Sequence, residues 1–330
     1  MKYYDSVPEE FLLIRLVATR ECNYRCPYCY VPLEKRATKK DMFSHHPAQE
    51  WMQALKGNFS GRKLEFYFTG GEPLIVEDCI SLIKELASWG KVTGIRIDSN
   101  LSRVEEFLKK VNSKKIRFLA AFHPTQVSLE EFLEKARLVQ GKGMLDLVNF
   151  VASKENLGIV KMAPHELVEK FGSQGIFLNV ARDFGEAEES TYEKNYKHYI
   201  DSLQSPLDRA YMDFQPLNRG VLCGGGKHYI TINRHGQVFS CGGEAQRKQG
   251  HGNIFENAVE LPTGLQECQE GRCPSIISYS FSCSNNFSPM DHIKGYVKRC
   301  NETRKARPKE ELDQMWGEVN SDKIYRKGQG

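Results

Sequence analysis

Cys22-Asn23-Tyr24-Arg25-Cys26-Pro27-Tyr28-Cys29-Tyr30 places three cysteines within eight residues, separated by three residues and then by two. Zinc sites and ordinary iron-sulfur sites are normally closed by four protein ligands. A compact run of three thiolates therefore points to a cluster with one iron left open to a small molecule. A zinc knuckle short of a ligand, or a redox pair of Cys26 and Cys29 beside a bystander, are the alternatives that the spacing alone leaves standing.

Forty residues past Cys29 comes Thr69-Gly70-Gly71-Glu72-Pro73, which neither alternative explains. Together the two motifs resemble the radical S-adenosylmethionine (SAM) superfamily. The resemblance implies that Cys22, Cys26 and Cys29 hold a four-iron, four-sulfur cluster whose fourth iron is chelated by the methionyl amine and carboxylate of S-adenosylmethionine. It also implies reductive cleavage of that cofactor to a 5′-deoxyadenosyl radical, which removes a substrate hydrogen, with flavodoxin or ferredoxin as the electron donor.

The chain has 330 residues, more than a typical domain of about 100 to 200. Two units are expected: residues 1–214 as the main domain and residues 215–330 as a smaller cysteine-rich one with a tail. Residues 1–10 carry no apolar stretch behind a basic start. The longest apolar run, residues 11–18, is interrupted by Arg15 and is far shorter than a membrane span. The expectation is a soluble cytoplasmic protein with no membrane partner. Ten cysteines without a signal segment, six of them in metal-like groupings, read as reduced thiolates bound to iron rather than as disulfides. A net charge of +4 with no basic, aromatic-interleaved stripe argues against nucleic acid. The mixed charges of residues 294–327 read as a solvated helix face.

Short β-rich runs alternate with helical ones, six of each. The predicted strands are residues 11–18, 63–68, 93–98, 115–122, 144–152 and 176–180, each apolar enough for a buried parallel sheet. Residues 78–89 read as a helix with Ile80, Ile83 and Leu86 on one face, ended by Gly90. Ser128 with Glu131 predicts a capping box opening a helix to Gln140. Residues 191–203 form the sixth helical pattern. The repeat implies parallel strands joined by crossovers, as an open doubly wound sheet or as a barrel, and six units are too few for a closed eight-unit barrel. The family resemblance implies the partial (β/α)6 TIM barrel, an α/β fold. In either architecture the loops after the strands build the site. The cysteine loop follows the first strand, Gly70-Gly71-Glu72 the second, Ser99-Asn100 the third and His123 the fourth.

If the resemblance holds, the backbone of Gly70 and Gly71, with Glu72, could hold the cofactor's ammonium group. Ser99 and Asn100 could bind the ribose or methionyl carboxylate, Tyr28 would lie near the adenine, and residues 149–152 could offer an apolar wall. Ser99-Asn100 also reads as a plain strand-ending turn. His123 with Pro124 reads as a capping turn or a proton donor. Cys79 lies on the apolar face of a helix and reads as core.

Beyond residue 215 the alternation stops. Cys223 is followed by twelve residues, Gly236, four more and Cys241. Residues 229–233 and 237–240 alternate like strands around a His235-Gly236 turn, a β-hairpin with a thiolate near each base. This segment resembles the auxiliary-cluster extensions called SPASM and twitch, though the longer cysteine pattern of SPASM is absent. The resemblance implies one auxiliary four-iron, four-sulfur cluster on Cys223, Cys241, Cys268 and Cys273, with Cys283 a possible replacement. A zinc ribbon is the alternative for four thiolates. Cys300 reads as a surface bystander or as a hydrogen-atom donor to a substrate radical.

An auxiliary cluster that accepts an electron fits a radical SAM oxidoreductase acting on a small molecule, as in relatives that oxidise aminocyclitol alcohols. The position of Cys22 leaves no space upstream for the peptide-recognition domain of many peptide-modifying relatives. Ribosomal peptide or protein maturation is the second reading. A non-catalytic iron-sulfur electron carrier is the third, and the Gly-Gly-Glu-Pro argues against it.

Overall fold

The computed structural model describes residues 7–29, 31, 42–152, 177–182, 219–247, 250–256, 258–270, 273 and 281. Six strands appear in chain order: β1 (Phe11–Thr19), β2 (Lys63–Gly70), β3 (Val92–Ser99), β4 (Ile116–Phe122), β5 (Leu145–Ala152) and β6 (Phe177–Arg182). Each pairs in parallel with the next, so the spatial order from β1 to β6 is the order of the chain. A doubly wound sheet reverses strand order at a switch point. This one does not, and it is an α/β partial barrel. The six predicted strands are met within two residues at each end. The helix expected over residues 191–203 and the boundary expected at residue 214 lie outside the described residues.

Between the strands run α1 (Ala48–Phe59), α2 (Glu77–Ser88), α3 (Val104–Lys110) and α4 (Leu129–Gly141). Their apolar faces repeat at helical spacing, for example Cys79, Ile80, Ile83 and Leu86 on α2, all buried. Ser128 caps α4 by accepting from the Glu131 amide, 3.2 Å. The Glu131 carboxylate pairs with Lys135 one turn on, so the acidic half of the expected capping box goes to a salt bridge instead.

The two faces of the sheet differ in chemistry. Leu12, Ile14, Leu16, Phe66, Phe68, Ile95, Ile97 and Phe118 pack into the helix-covered core, with Phe107 of α3 edge-on to Phe118, centroids 5.6 Å apart. The alternate residues, facing the concave side, include Arg15, Glu65, Tyr67, Thr69, Arg96, Asp98, Arg117 and Asn149. Strand register lines up Arg15 with Tyr67, Tyr67 with Arg96 and Arg96 with Arg117. Closed barrels fill this side with branched aliphatic side chains. Here it carries hydrogen-bonding groups.

The C-terminal region adds two pieces of sheet. In the first, β7 (Leu222–Cys223) pairs antiparallel with a short strand at Gln266–Glu267, β10. In the second, the expected hairpin is built onto the main sheet. β8 (Tyr229–Ile232) runs parallel to β1, pairing Leu13 with Tyr229 and Leu16 with Ile232, and β9 (Val238–Phe239) pairs antiparallel to β8. The result is a continuous eight-stranded sheet. Its lower concave end is closed by Phe11, Leu13 and Tyr229 with Phe281, whose ring stacks on Tyr229. No described helix is long and apolar enough to cross a membrane.

Removing the Phe118 ring should leave a cavity between β4 and α3. Phe118→Ala is expected to lower stability by about 3 to 5 kcal/mol. Denaturant unfolding would test this, and a loss below about 1 kcal/mol would mean the ring is not core.

Candidate active site

The loops at the C-terminal ends of β1, β2, β3 and β4 are bound to one another by hydrogen bonds. After β1, Thr19 Oγ1 accepts from the Glu21 amide, 2.9 Å, and turns the chain into the cysteine loop. After β2, the Gly71 amide donates to the Thr19 carbonyl (2.7 Å) and the Glu72 amide to the Glu21 carbonyl (2.8 Å). This contact explains the glycines. Gly70 has φ 136°, and a Cβ there would overlap the Thr19 carbonyl oxygen; one on Gly71 would overlap that of Glu21.

Glu72 is fully buried, yet its carboxylate is well occupied. Oε1 accepts from the Leu74 amide (3.0 Å) and Ser99 Oγ (2.9 Å), and Oε2 from the Asn100 amide (2.7 Å). Burial pushes its pKa up to about 7 against the pull of those three donors. Ser99 in turn accepts from the Leu101 amide, 2.9 Å, and Leu101 is a buried non-glycine residue at φ 60°. Glu72 therefore ties the loop after β2 to the loop after β3. Its carboxylate was expected near the cofactor's ammonium group; in this geometry its immediate partners are Leu74, Ser99 and Asn100.

The cysteine loop takes further support from its neighbours. The Arg25 amide donates to Gln126 Oε1 in the turn after β4, 2.8 Å, and the Arg25 guanidinium covers the Cys22 and Tyr24 carbonyls. Tyr28 Oη lies 3.2 Å from His123 Nδ1 with the two rings stacked, and Tyr24 stands edge-on to the same imidazole. Desolvation pushes the His123 pKa down to about 4, so the ring is neutral. The His123 carbonyl meanwhile accepts from the Gln126 and Val127 amides, so the expected capping turn is present as well.

The Cys22 sulfur accepts from the Tyr24 amide (3.4 Å) and faces Asn100 Nδ2 (3.9 Å). Burial pushes the Cys22 thiol up, with the charges of Glu72 and Cys29 adding to the effect, so a metal partner is what would keep it as thiolate. Among the described residues, no three His, Cys, Asp or Glu side chains converge on one metal ion. Three spaced thiols, with N–H donors at the Cys22 sulfur, fit a four-iron cluster.

Below the loops, on the concave face, Asp98 accepts from Tyr67 Oη and from Thr69, and Arg15 lies close enough to oppose its protonation. Burial nevertheless pushes the Asp98 pKa up to about 6. Further down, Glu65 pairs with Arg96, and Asp146 with Arg117 at 3.4 Å. Sequence reading missed this set, although Arg96 and Asp98 alternating with Ile95 and Ile97 carried the signal of a two-faced strand.

In the C-terminal region, the β7–β10 ladder carries Cys268 to within two residues of Cys223: the Cys268 amide donates to the Val221 carbonyl, 2.9 Å, and Gln266 pairs with Cys223. Cys241 opens α5 (Gly242–Arg247), with the Gly243 and Glu244 amides turned to its sulfur; burial pushes its thiol up and nearby Cys268 adds to the shift. Cys223 and Cys241 both pack against the cluster of Phe11, Leu13 and Tyr229. Cys273 is described, whereas Cys283 and Cys300 lie outside the described residues. Cys79 is core, as expected.

A parallel partial barrel with a three-cysteine loop at its mouth defines a class of protein, and comparison with known proteins agrees. Residues 16–121 match the model of the Radical SAM superfamily, so this part of the chain is a radical SAM domain. It is similar to a probable GTP 3′,8-cyclase of Thermococcus kodakarensis, 27% identical over 106 residues, which are 32% of this chain and 33% of that protein. The chain thus spans about a third of the length of this curated relative. Among solved structures, Streptococcus suis SuiB bound to precursor peptide SuiA matches with a TM-score of 0.52 and 17% identity, over 78% of this chain and 65% of that one. A histidine-tagged anSMEcpe with bound AdoMet matches with a TM-score of 0.50 and 15% identity, over 96% and 94%. These likenesses show the shared fold.

Two predictions test the site. Gly71→Ala should force the two loops apart, costing about 1 to 3 kcal/mol and abolishing iron uptake by the cysteine loop; full iron content would contradict the packing. His123 should remain neutral, its ring NMR shifts flat between about pH 5.5 and 8. As its pKa is lowered on folding, it should add stability as pH rises from about 4 to 6.5; a ring titrating near its ordinary value would refute the desolvated setting.

Proposed function

We propose that this chain is a radical SAM oxidoreductase acting on a polar small molecule. Cys22, Cys26 and Cys29 hold its first four-iron, four-sulfur cluster, and Cys223, Cys241, Cys268 and Cys273 hold a second. The observation that carries the reading is the locking of the cysteine loop to the Gly70-Gly71-Glu72 loop, and through Glu72 to Ser99 and Asn100, at the mouth of a parallel barrel. The first cluster and S-adenosylmethionine, when bound, supply a radical able to abstract hydrogen.

The residues around them bind, orient and exclude water. We assign the Gly70-Gly71-Glu72 backbone to the cofactor's ammonium group and Tyr28, braced by His123, to the adenine, while Ser99 and Asn100, their hydrogens held by Glu72 and the cysteine loop, position these groups. Arg15, Tyr67, Asp98 and Asn149 line the space beneath, and so many hydrogen-bonding groups suit a hydroxylated or amino-bearing substrate. Loss of a hydrogen atom, then of an electron and a proton, is a net two-electron oxidation. The C-terminal cysteines would hold the group that takes the electron, and a flavodoxin or ferredoxin would reduce the first cluster. Peptide modification is the second reading, supported by the fold shared with SuiB, whose structure includes a precursor peptide.

Anaerobic iron and sulfide analysis with Mössbauer spectra tests the assignment. Wild type should hold about eight irons and the Cys22/Cys26/Cys29 triple alanine variant about four. Four irons falling to none, with zinc in the remainder, would make the C-terminal cysteines structural and remove the electron acceptor. Reduced protein that leaves S-adenosylmethionine intact would point to an electron carrier.

A further inference from the structure

We infer that Asn100 is a positioning residue for the first cluster, its side-chain amide donating to the Cys22 sulfur and raising the cluster's reduction potential. The inference rests on Cys22 being a cluster ligand, as proposed above. The amide's orientation follows from its neighbours. Asn100 Oδ1 accepts from the Ser102 amide at 2.9 Å, which fixes the oxygen toward the chain ahead and leaves Nδ2 facing the cysteine loop. There Nδ2 donates to Asn23 Oδ1 at 3.0 Å and points its other hydrogen at Cys22 Sγ, 3.9 Å away. An asparagine amide has two hydrogens, so both are committed within the loop.

The residue cannot swing away freely, because its own amide donates to the buried Glu72 carboxylate at 2.7 Å and it is only 5% exposed. A donor aimed at a ligating thiolate withdraws negative charge from it, and the reduced cluster, which carries one more electron, gains more from this than the oxidised one. Asn100 thus makes the first cluster easier to reduce. The same amide holds Asn23, next to the ligand, so position and potential are set together. A residue 78 positions from Cys22 in the chain would then set the redox poise of the loop.

The test is a redox titration followed by EPR on wild type and Asn100→Ser, each with iron content measured. Serine keeps an oxygen able to accept from the Ser102 amide but offers no donor within reach of Cys22, and it adds no charge. The expected result is a full first cluster in both, with the variant's reduction equilibrium shifted about tenfold against reduction, or about 59 mV lower for one electron. An unchanged midpoint with a full cluster would overturn this inference and leave the proposed function intact. Wild type without a cluster on Cys22, Cys26 and Cys29 would overturn both.

Should Asn100→Ser lose the cluster, pulsed EPR on Asn23→Asp protein labelled with side-chain nitrogen-15 asparagine decides. Aspartate at 23 still accepts from Asn100, and Asn100 is then the labelled amide facing the loop. A nitrogen-15 coupling to the reduced cluster supports the contact; no coupling refutes it.

Discussion

The buried carboxylate of Glu72 is the constraint on which the mouth of the barrel depends. Three donors from two loops converge on its oxygens. The backbone on either side of it is held against Thr19 and Glu21, at the entry to the cysteine loop. Parallel strands fix where their C-terminal ends lie, but not how the loops leaving them are arranged. Here one side chain and two main-chain hydrogen bonds make a single unit of the loops after β1, β2 and β3. A radical site needs that stiffness, since a ligand loop free to shift would lose both its cluster geometry and its alignment with the substrate space below.

The strand that feeds the cysteine loop also carries the C-terminal region. β1 lies between β2 on one side and β8 on the other, and Leu13 and Arg15 are in register with residues of both neighbours. Cys223 and Cys241 rest on the apolar cluster that Phe11 and Leu13 of the same strand help to build. Both cysteine groups are therefore referenced to β1, the first at its C-terminal end and the second beside its N-terminal half. Under the proposed assignment of a cluster to each group, one shared rigid strand would fix the separation between them.

Much of this was legible in the sequence, for identifiable reasons. Buried parallel strands read as short apolar runs, so their limits emerged within two residues, and Ser128 announced α4 because a cap is a local interaction. The pairing of β8 with β1 was not legible, since a contact across more than two hundred residues leaves no periodic trace. In the structure Tyr229–Ile232 is buried at all four positions, as a strand with a neighbour on either side should be. Gly70 and Gly71 read from the sequence as cofactor-binding residues; the group seen in close approach to them is the backbone of Thr19 and Glu21. Nothing in the spacing distinguishes that neighbour from a ligand.

The chemistry of the hub also explains why a carboxylate stands at position 72. Three donors meet two oxygens, and every partner is an N–H or O–H pointing inward. A glutamine there would turn its own NH2 toward the Asn100 amide or the Leu74 amide and leave donor facing donor in a buried place, where an unmet polar group costs about 1 to 3 kcal/mol. An aspartate would be one methylene short of bridging two strand ends. Burial raises the glutamate's pKa to about 7, so ionising it works against stability as pH rises from about 4.5 toward 7, while the three donors offset part of that penalty. The fold thus holds a carboxylate in an unfavourable setting because only its geometry satisfies all three donors, and those donors position Ser99 and Asn100 beside the cysteine loop.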